Sequence, residues 1–177
     1  MKKIMIIAVV AFLSTTAVKA QTISLGAKAG VNFASLSGDD VEDLDARTSF
    51  HLGLMAEARF SDKFAIQPEI LYSSQGAKVD DMTLKLDYLT IPVMLKYYVT
   101  NEISLEAGPQ VGFNVVAEAE DEEIEDVKTD IGAGIGIGYY SFGGLFLQAR
   151  YNLGFTEIVD ELSAKNNVIQ LSVGYRF

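Results

Sequence analysis

Eight charged residues interrupt stretches of the chain that are otherwise built from apolar, glycine and small polar residues. Five are basic and three are acidic: Lys28, Glu57, Arg59, Glu69, Lys96, Glu106, Arg150 and Arg176. Charges in a dry interior must be paired or neutralised, because their desolvation is costly. We therefore predict a salt-bridge network that plugs the interior holding these residues. The alternative is a narrow gated path for ions, opened by exchange of salt-bridge partners.

His51 is the only histidine, and Ser49 lies two residues before it. Residues two apart share one face of an extended strand. A histidine beside a serine can activate the hydroxyl as a nucleophile, and some eight-stranded barrels that modify lipid A acyl chains use such a pair. Because no acid or oxyanion site accompanies the two residues, we favour a buried, hydrogen-bonded histidine. We expect no catalytic residue, no cofactor and no metal site.

Two acidic segments, SGDDVEDLDA and AEAEDEEIEDVKTD, hold much of the negative charge. Carboxylates are ligands of divalent cations, including those that bridge surface lipopolysaccharide. Neither segment has the ligand spacing and central glycine of an EF-hand. We favour solvated loops that stay soluble and repel their neighbours.

The elements that carry these residues alternate apolar and polar positions with a period of two, which is typical of strands with two different faces. In the last strand Ile169, Leu171, Val173, Tyr175 and Phe177 share the apolar face. We predict eight strands, at 22–34, 49–60, 64–74, 84–99, 103–117, 129–140, 145–155 and 168–177.

The predicted connections alternate in length. Turns at 61–63, 100–102 and 141–144 are short, whereas the connections at 35–48, 75–83, 118–128 and 156–166 are longer. An even number of strands with short turns at one end and long loops at the other is typical of an outer-membrane barrel. Both termini then lie in the periplasm.

Two local irregularities are predicted. The apolar positions of the fourth strand change phase, so a β-bulge near Asp87 and Tyr88 would restore one face. Pro68, Pro92 and Pro109 fall inside strands three to five. Because proline has no N–H for the ladder, we expect bulges or weak pairing there.

The apolar face is predicted to point outward, into lipid. It carries no charge in any of the eight predicted strands, and aromatic residues lie near both ends of that face, as expected at two membrane interfaces. The polar face is rich in Gly, Ser, Gln and Asn, which suits a narrow, side-chain-filled lumen. A soluble calyx with the apolar face inside is the alternative.

The amino end predicts a secretory signal peptide at 1–20, with the barrel domain at 21–177. Lys2 and Lys3 precede an apolar run, and Val18-Lys19-Ala20 provides a cleavage site before Gln21. Loss of residues 1–20 changes the formal charge from −10 to −13, which makes nucleic acid a poor partner. The chain has no cysteine and therefore no disulfide or thiolate site.

Seven stretches follow one another over nearly all of the remaining chain: LGAKAGVNFASLSG, AIQPEILYSSQG, DYLTIPVMLKYY, LEAGPQVGF, GAGIGIGY, LQARYNLGF and LSVGYRF. In this order they resemble the outer-membrane β-barrel family common in Bacteroidota, often called porin-family or PorT-like. The resemblance implies an integral outer-membrane protein assembled by the barrel-assembly machinery, and it fixes no activity. The apolar face of the last strand also resembles the carboxy-terminal signal that this machinery recognises.

Taken together, these features predict an eight-stranded antiparallel up-and-down barrel in the outer membrane. The expected role is non-enzymatic, in envelope integrity or in surface interactions through the long loops. A small channel is the second hypothesis and a lipid A-modifying enzyme the third. The expected partners are outer-membrane lipid, lipopolysaccharide and, during biogenesis, the assembly machinery; extracellular or envelope protein partners are not identified by the sequence.

Overall fold

The computed structural model describes residues 22–37, 45–79, 82–119, 122–123, 129–156 and 165–177, within which eight long strands form. The strands are β1 (Thr22–Ser37), β2 (Asp45–Arg59), β3 (Phe64–Val79), β4 (Met82–Tyr98), β5 (Ile103–Ala119), β6 (Asp130–Tyr140), β7 (Leu145–Gly154) and β8 (Lys165–Arg176). A two-residue segment, Glu122–Glu123, pairs with the end of β5. The described residues contain no helix that is long and apolar enough to cross a membrane.

Each strand pairs antiparallel with the next one along the chain, and β8 returns to pair with β1. The closing register runs from Gly26↔Arg176 to Ser37↔Lys165. Every strand therefore has a partner on both sides, and the sheet has no free edge. The predicted closed, eight-stranded antiparallel barrel is confirmed.

The two faces of the strands have opposite environments. In β7 the exposed residues Leu145 and Leu147 alternate with the buried residues Phe146 and Gln148. Apolar side chains cover the outer face of the barrel, and most of the buried side chains inside it are polar or charged. A water-soluble barrel would show the reverse arrangement, so the outer surface is suited to lipid.

Aromatic side chains lie on the outer face near both ends of the barrel. At the end that carries the short turns, which we call the turn end, they are Phe60, Phe64, Tyr97, Tyr139, Tyr175 and Phe177. At the opposite end, the loop end, Phe33, Phe50 and Phe155 are exposed. Two such girdles are expected where a barrel crosses the two interfaces of a membrane.

The turn end of the barrel projects little beyond the strands. Residues 60–63, 99–102 and 141–144 connect the strands there, and short backbone hydrogen bonds close each turn, such as Ser141 N–H to the Leu145 carbonyl at 2.8 Å. Gly143 and Gly144 have φ angles of 96° and 91°, a left-handed conformation that side chains rarely adopt. The rim of the barrel at this end therefore consists of little more than the strand ends.

The loop end extends further than predicted. The connection expected at 75–83 is wrong, because β3 and β4 stay paired up to Val79↔Met82 and only residues 80 and 81 lie between them. Backbone pairing can continue beyond the apolar band, since it needs no apolar side chains. The other three long connections and both acidic segments lie partly outside the described residues, and the predicted signal peptide lies wholly outside them.

The bulge lies beside the residues predicted for it, but its effect on the orientation of the side chains differs from the prediction. The β4–β5 register shifts between Asp87↔Val116 and Tyr88↔Asn114, which leaves Val115 of β5 as the extra residue. Leu86 is 1% exposed and pairs with the buried Gln75, so it points into the lumen. The expectation that the bulge would return it to the outer face was wrong, because the bulge is on β5.

Asp87 is an exception to the expectation of a charge-free apolar face. The Tyr72 hydroxyl donates a 2.5 Å hydrogen bond to Asp87 Oδ2, and the Tyr72 ring packs 5.9 Å from that of the exposed Phe50. The carboxylate lies near the loop end, where a charge costs far less than at the bilayer midplane.

Beside each proline, the pairing between two neighbouring strands is interrupted. The strand register is the same before and after each interruption. Pairing stops between Met55↔Glu69 and Ala58↔Ile66 beside Pro68. Similar gaps occur between Pro68↔Val93 and Leu71↔Thr90, beside Pro92, and between Pro92↔Gln110 and Leu95↔Ala107, beside Pro109. The predicted weak pairing is confirmed, and no bulge accompanies it.

These interruptions predict that backbone amides are unevenly protected from hydrogen exchange. In lipid nanodiscs, amide hydrogens of Val93 and Met94 should exchange faster than those of Ala149 and Arg150, which lie in the uninterrupted β7–β8 ladder. Hydrogen-exchange mass spectrometry with peptide resolution measures the difference. Equal protection of the two regions would show that the prolines do not weaken the strand pairing.

Candidate functional site in the barrel lumen

Arg150 of β7 is the centre of the lumen. Its Nη1 and Nη2 donate to the two carboxylate oxygens of Glu69 at 3.0 and 2.7 Å, and its Nε donates to Glu106 Oε1 at 2.9 Å. Such paired guanidinium–carboxylate contacts are among the strongest charge-assisted hydrogen bonds. One guanidinium thus connects β3 and β5 across the interior of the barrel.

A glycine makes the contact between Arg150 and Glu106 possible. Gly136 of β6 pairs with Glu106 on one side and with Arg150 on the other. A Cβ at this position would lie 3.0 Å from Glu106 Oε1 and 3.2 Å from Arg150 Cα. Because β6 contributes no side chain here, the residues of its two neighbours meet above it.

Lys28 of β1 joins the same cluster. Its ammonium group lies 2.8 Å from Glu69 Oε2 and donates to Gln148 Oε1 at 2.7 Å. The amide nitrogen of Gln148 in turn donates to Glu106 Oε2 at 2.8 Å. Glu69 and Glu106 are therefore each satisfied by more than one donor, as buried carboxylates require.

A second cluster surrounds Lys96 of β4. Its ammonium group donates to Glu57 Oε2 at 2.9 Å and to Gln67 Oε1 at 2.8 Å, and it also contacts the Tyr140 hydroxyl. The Gln67 amide donates to Glu69 Oε1 at 2.7 Å. Gln67 therefore links the Lys96 cluster to the Arg150 cluster.

The network ends at the turn end of the barrel, around Glu57. Arg176 Nη1 donates to Glu57 Oε1 at 2.9 Å, Arg59 Nη2 lies 3.6 Å from the same oxygen, and the Tyr98 hydroxyl donates to Oε2 at 2.7 Å. Arg59 and Arg176 have side chains that are 29% and 24% exposed. The structure thus places all eight of the charged residues selected from the sequence in one connected set.

The deep part of the set is dry. The side chains of Lys28, Glu69, Lys96, Glu106 and Arg150 are 0–1% exposed. A water-filled channel along these groups would leave them exposed to solvent. On the turn side of this layer, the interior is filled by buried apolar and aromatic residues, namely Met55, Ala65, Tyr98, Tyr140 and Phe146.

A separate polar layer lies toward the loop end and is centred on His51. Its Nδ1 is 2.7 Å from Asn32 Oδ1, and its Nε2 is 2.8 Å from Ser172 Oγ. The Asn32 amide donates to Ser73 Oγ, which leaves its oxygen to accept from His51. Nδ1 is therefore the protonated nitrogen, and Nε2 accepts the Ser172 hydroxyl hydrogen.

Ser49 is not the partner of His51. It donates instead to the Ser74 carbonyl at 2.6 Å. His51 meets Ser172 above Gly30, which pairs with both residues in the register of the sheet. His51, Asn32 and Ser172 are 1%, 0% and 6% exposed, so this group has no open face for a substrate.

The neutral members of these networks were not selected from the sequence. They are Asn32, Gln67, Tyr98, Tyr140, Gln148 and Ser172, all at inward-facing positions. Their alternation with apolar residues was visible in the sequence. Their partners were not, because those depend on the strand register around the closed barrel.

The residues proposed as an assembly signal lie on the outer face of β8 or directly after it. Ile169, Leu171, Val173, Tyr175 and Phe177 are all exposed. The Phe177 backbone N–H donates to the Leu25 carbonyl at 2.9 Å, which fixes the last residue against β1.

Among the residues that the structure describes, no group of three or more acidic, histidine or cysteine side chains is arranged to hold a metal ion.

A closed antiparallel barrel with an apolar outer face and a polar, filled interior defines an outer-membrane β-barrel protein. The family model described as "Outer membrane protein beta-barrel domain" matches residues 19–160. The chain belongs to this family, and its place is the outer membrane, in contact with the lipids there.

Solved structures share the fold. Neisserial surface protein A is 16% identical, with a TM-score of 0.63 over 90% of this chain and 100% of that chain. The attachment invasion locus protein of Yersinia pestis, in complex with the heparin analogue sucrose octasulfate, is 17% identical, with a TM-score of 0.61 over 88% of this chain and 99% of that chain. No curated protein sequence matches the chain significantly.

Proposed function

We propose that the protein is a non-conducting outer-membrane barrel, which acts as a structural and surface-interaction protein of the envelope. The observation that carries the proposal is the dry salt-bridge layer, in which Lys28, Glu69 and Arg150 have side chains 0–1% exposed. This layer connects β1, β3, β5 and β7 across the lumen, so it both fills the barrel and fixes its cross-section. Contacts with other molecules then belong to the ends of the barrel.

We propose that residues 1–20 are removed as a signal peptide, that residues 21–177 form the barrel domain and that both termini lie in the periplasm. The three short turns lie at the same end of the barrel as Thr22 and Arg176, the usual arrangement in bacterial barrels. The longer connections would then be extracellular, among lipopolysaccharide. We also propose that the chain belongs to the porin-family, or PorT-like, barrels common in Bacteroidota, and the ordered motifs from LGAKAGVNFASLSG to LSVGYRF support this proposal.

The acidic composition of two of the long connections restricts the surface partners. SGDDVEDLDA and AEAEDEEIEDVKTD carry many carboxylates and one lysine. Like charges repel, so a polyanion of the kind bound by the Yersinia protein is a poor ligand for these segments. We propose that they face cationic or neutral partners, or serve to repel anionic ones.

A narrow ion channel is the second candidate. Glu57 and Glu69 each contact more than one cation, so an exchange of partners is the step that would open a path. Planar-bilayer recording of the purified barrel separates the two proposals. We expect no conductance over a wide range of voltage, whereas discrete openings would favour the channel.

An enzymatic role is the third candidate and the one we favour least. The Asn32–His51–Ser172 group places a base beside a hydroxyl, but all three residues are buried in the lumen, away from lipid. We propose that the group is structural. Lipid A whose mass spectrum changes when the protein is deleted would contradict this view.

We propose that β8 also guides assembly. Phe177→Ala, or one residue added after Phe177, should reduce the amount of barrel assembled in the outer membrane more than it reduces the stability of barrel already folded. Phe177 is 69% exposed and its ring is tilted against that of Tyr175, with 6.1 Å between the ring centroids, so removal of the ring breaks few contacts of the folded state. Heat-modifiable protein in outer-membrane fractions measures assembly. Normal amounts would show that the last residue has no such role.

A further inference from the structure

The turn-end mouth of the lumen has more positive charge than its carboxylate can neutralise. Deeper in the barrel, Lys28, Lys96 and Arg150 are matched by Glu57, Glu69 and Glu106. Glu57 therefore already has Lys96 on one of its oxygens. Arg59 and Arg176 share the other oxygen, which leaves two surplus positive charges at the mouth.

These two guanidinium groups are held side by side. Arg176 Nη1 and Arg59 Nη2 lie 2.9 and 3.6 Å from the same Glu57 oxygen, so they are at most about 6.5 Å apart. Arg59 is stacked 3.8 Å above the Tyr98 ring, and Arg176 lies 5.1 Å from the Tyr140 ring. Stacking on a ring face leaves the N–H groups at the guanidinium edge free to donate to a ligand.

The mouth is accessible. The Arg59 and Arg176 side chains are about a quarter exposed, whereas those of Lys28, Lys96 and Arg150 are 0–1% exposed. The low rim formed by the short turns does not cover them. Among the described residues, Glu57 is the only carboxylate within 4.0 Å of either guanidinium, so the acidic residues Asp62 and Glu102 of the turns form no ion pair with Arg59 or Arg176.

We infer that the turn-end mouth binds a phosphate group, with Arg59 and Arg176 as its donors. Planar guanidinium groups match the oxygens of phosphate with two parallel hydrogen bonds, and a phosphate would offset the surplus charge. The outer aromatic girdle of Tyr97, Tyr139 and Tyr175 places the mouth near the level of lipid headgroups. The phosphate therefore belongs either to a phospholipid headgroup or to a soluble compound. This site exists whether or not the lumen conducts.

The chain has four arginines, which makes a direct test possible. Protein labelled with [15N]arginine is refolded in an uncharged detergent and titrated with inorganic phosphate, against chloride at equal ionic strength. The Nε–Hε signals of Arg59 and Arg176 should shift and saturate with phosphate only. Those of Arg47 and Arg150 should not move. Arg59→Lys and Arg176→Lys assign the signals.

A second arm identifies the source of the phosphate. The same spectra are recorded in nanodiscs of phosphatidylcholine with and without phosphatidylglycerol. A shift with phosphatidylglycerol alone would support a headgroup ligand, and a shift with inorganic phosphate would support a soluble one. No specific shift of Arg59 and Arg176 in either arm would overturn the proposal, as would equal shifts of all four signals.

Variants provide the affinity test. Arg59→Gln/Arg176→Gln should weaken phosphate binding by about tenfold or more, the effect of losing one or two charge-assisted hydrogen bonds. The matched control is Lys63→Gln, which removes an exposed positive charge from a turn at the same end and should change affinity by less than about twofold. Unchanged affinity in the double variant would overturn the proposal. If that variant fails to fold, the wild-type titration alone decides.

Discussion

Arg150→Met should lower the free energy of unfolding by about 3–5 kcal/mol, because it leaves buried carboxylates without their principal cation. Arg150 makes three hydrogen bonds to Glu69 and Glu106, and both carboxylates are fully buried. Methionine replaces the aliphatic stem of arginine but not its guanidinium group, so the loss comes from the missing contacts of that group. Urea unfolding in lipid vesicles, followed by circular dichroism because the chain has no tryptophan, measures the change.

Arg59→Met is the matched control. Arg59 lies 3.6 Å from its carboxylate and is 29% exposed, so its loss should cost at most about 1 kcal/mol. Adding Glu106→Gln to Arg150→Met should recover part of the lost stability, since it removes one uncompensated charge. Equal costs for the two arginines, or no recovery in the double variant, would show that the buried network does not hold the barrel together.

Ile135→Arg should cost about 2–4 kcal/mol, whereas Ile131→Arg should cost about 0–1 kcal/mol, because a charge on the lipid face is most costly at the bilayer midplane. Both isoleucines lie on the outer face of β6 and are well exposed, at 60% and 50%. Ile135 is at the middle of the strand. Ile131 lies at the level of the loop-end girdle, because its carbonyl accepts a hydrogen bond from the backbone N–H of Phe155. Four residues separate them, or about 13 Å along the strand.

The two variants carry the same substitution, so a difference between their costs reports the depth of each position in the membrane. Both are measured by the same vesicle unfolding assay as Arg150→Met. Equal costs at the two positions would mean that the outer face of β6 does not span the apolar part of a bilayer in the way that the girdles indicate.

The strand pattern and its two faces were predictable because each strand repeats every two residues. Phe146, Gln148 and Arg150 had to share a face, and the even number of strands allowed the sheet to close. The exceptions are at the loop end. The position of the bulge on β5, at Val115, and the continued pairing to Val79↔Met82 arise from local register, which no periodicity in the sequence specifies.

Membership of the charged set followed from the same pattern, but its pairings did not. Arg150 meets Glu69 from a strand four places away along the chain, and His51 meets Ser172 of β8 rather than Ser49 of its own strand. Such contacts depend on the stagger of the closed barrel.

Glycines give the clue that was missed. Gly136 separates Glu106 from Arg150, and Gly30 separates His51 from Ser172, each in register with both neighbours. A glycine on the inward face of a barrel strand leaves space in which the side chains of the two adjacent strands can meet. The alternating glycines of β6 leave room for Arg150 in this way at Gly134 and Gly136.

The most direct test of a sealed lumen is single-channel recording in planar bilayers, with the wild-type barrel compared to a Lys28→Ala/Glu69→Ala/Glu106→Ala/Arg150→Ala variant. The variant removes the centre of the plug, and it removes both carboxylates together with the two cations that pair with them. We predict no wild-type openings over a wide range of voltage and discrete openings in folded variant protein. Stepwise wild-type conductance would contradict the account.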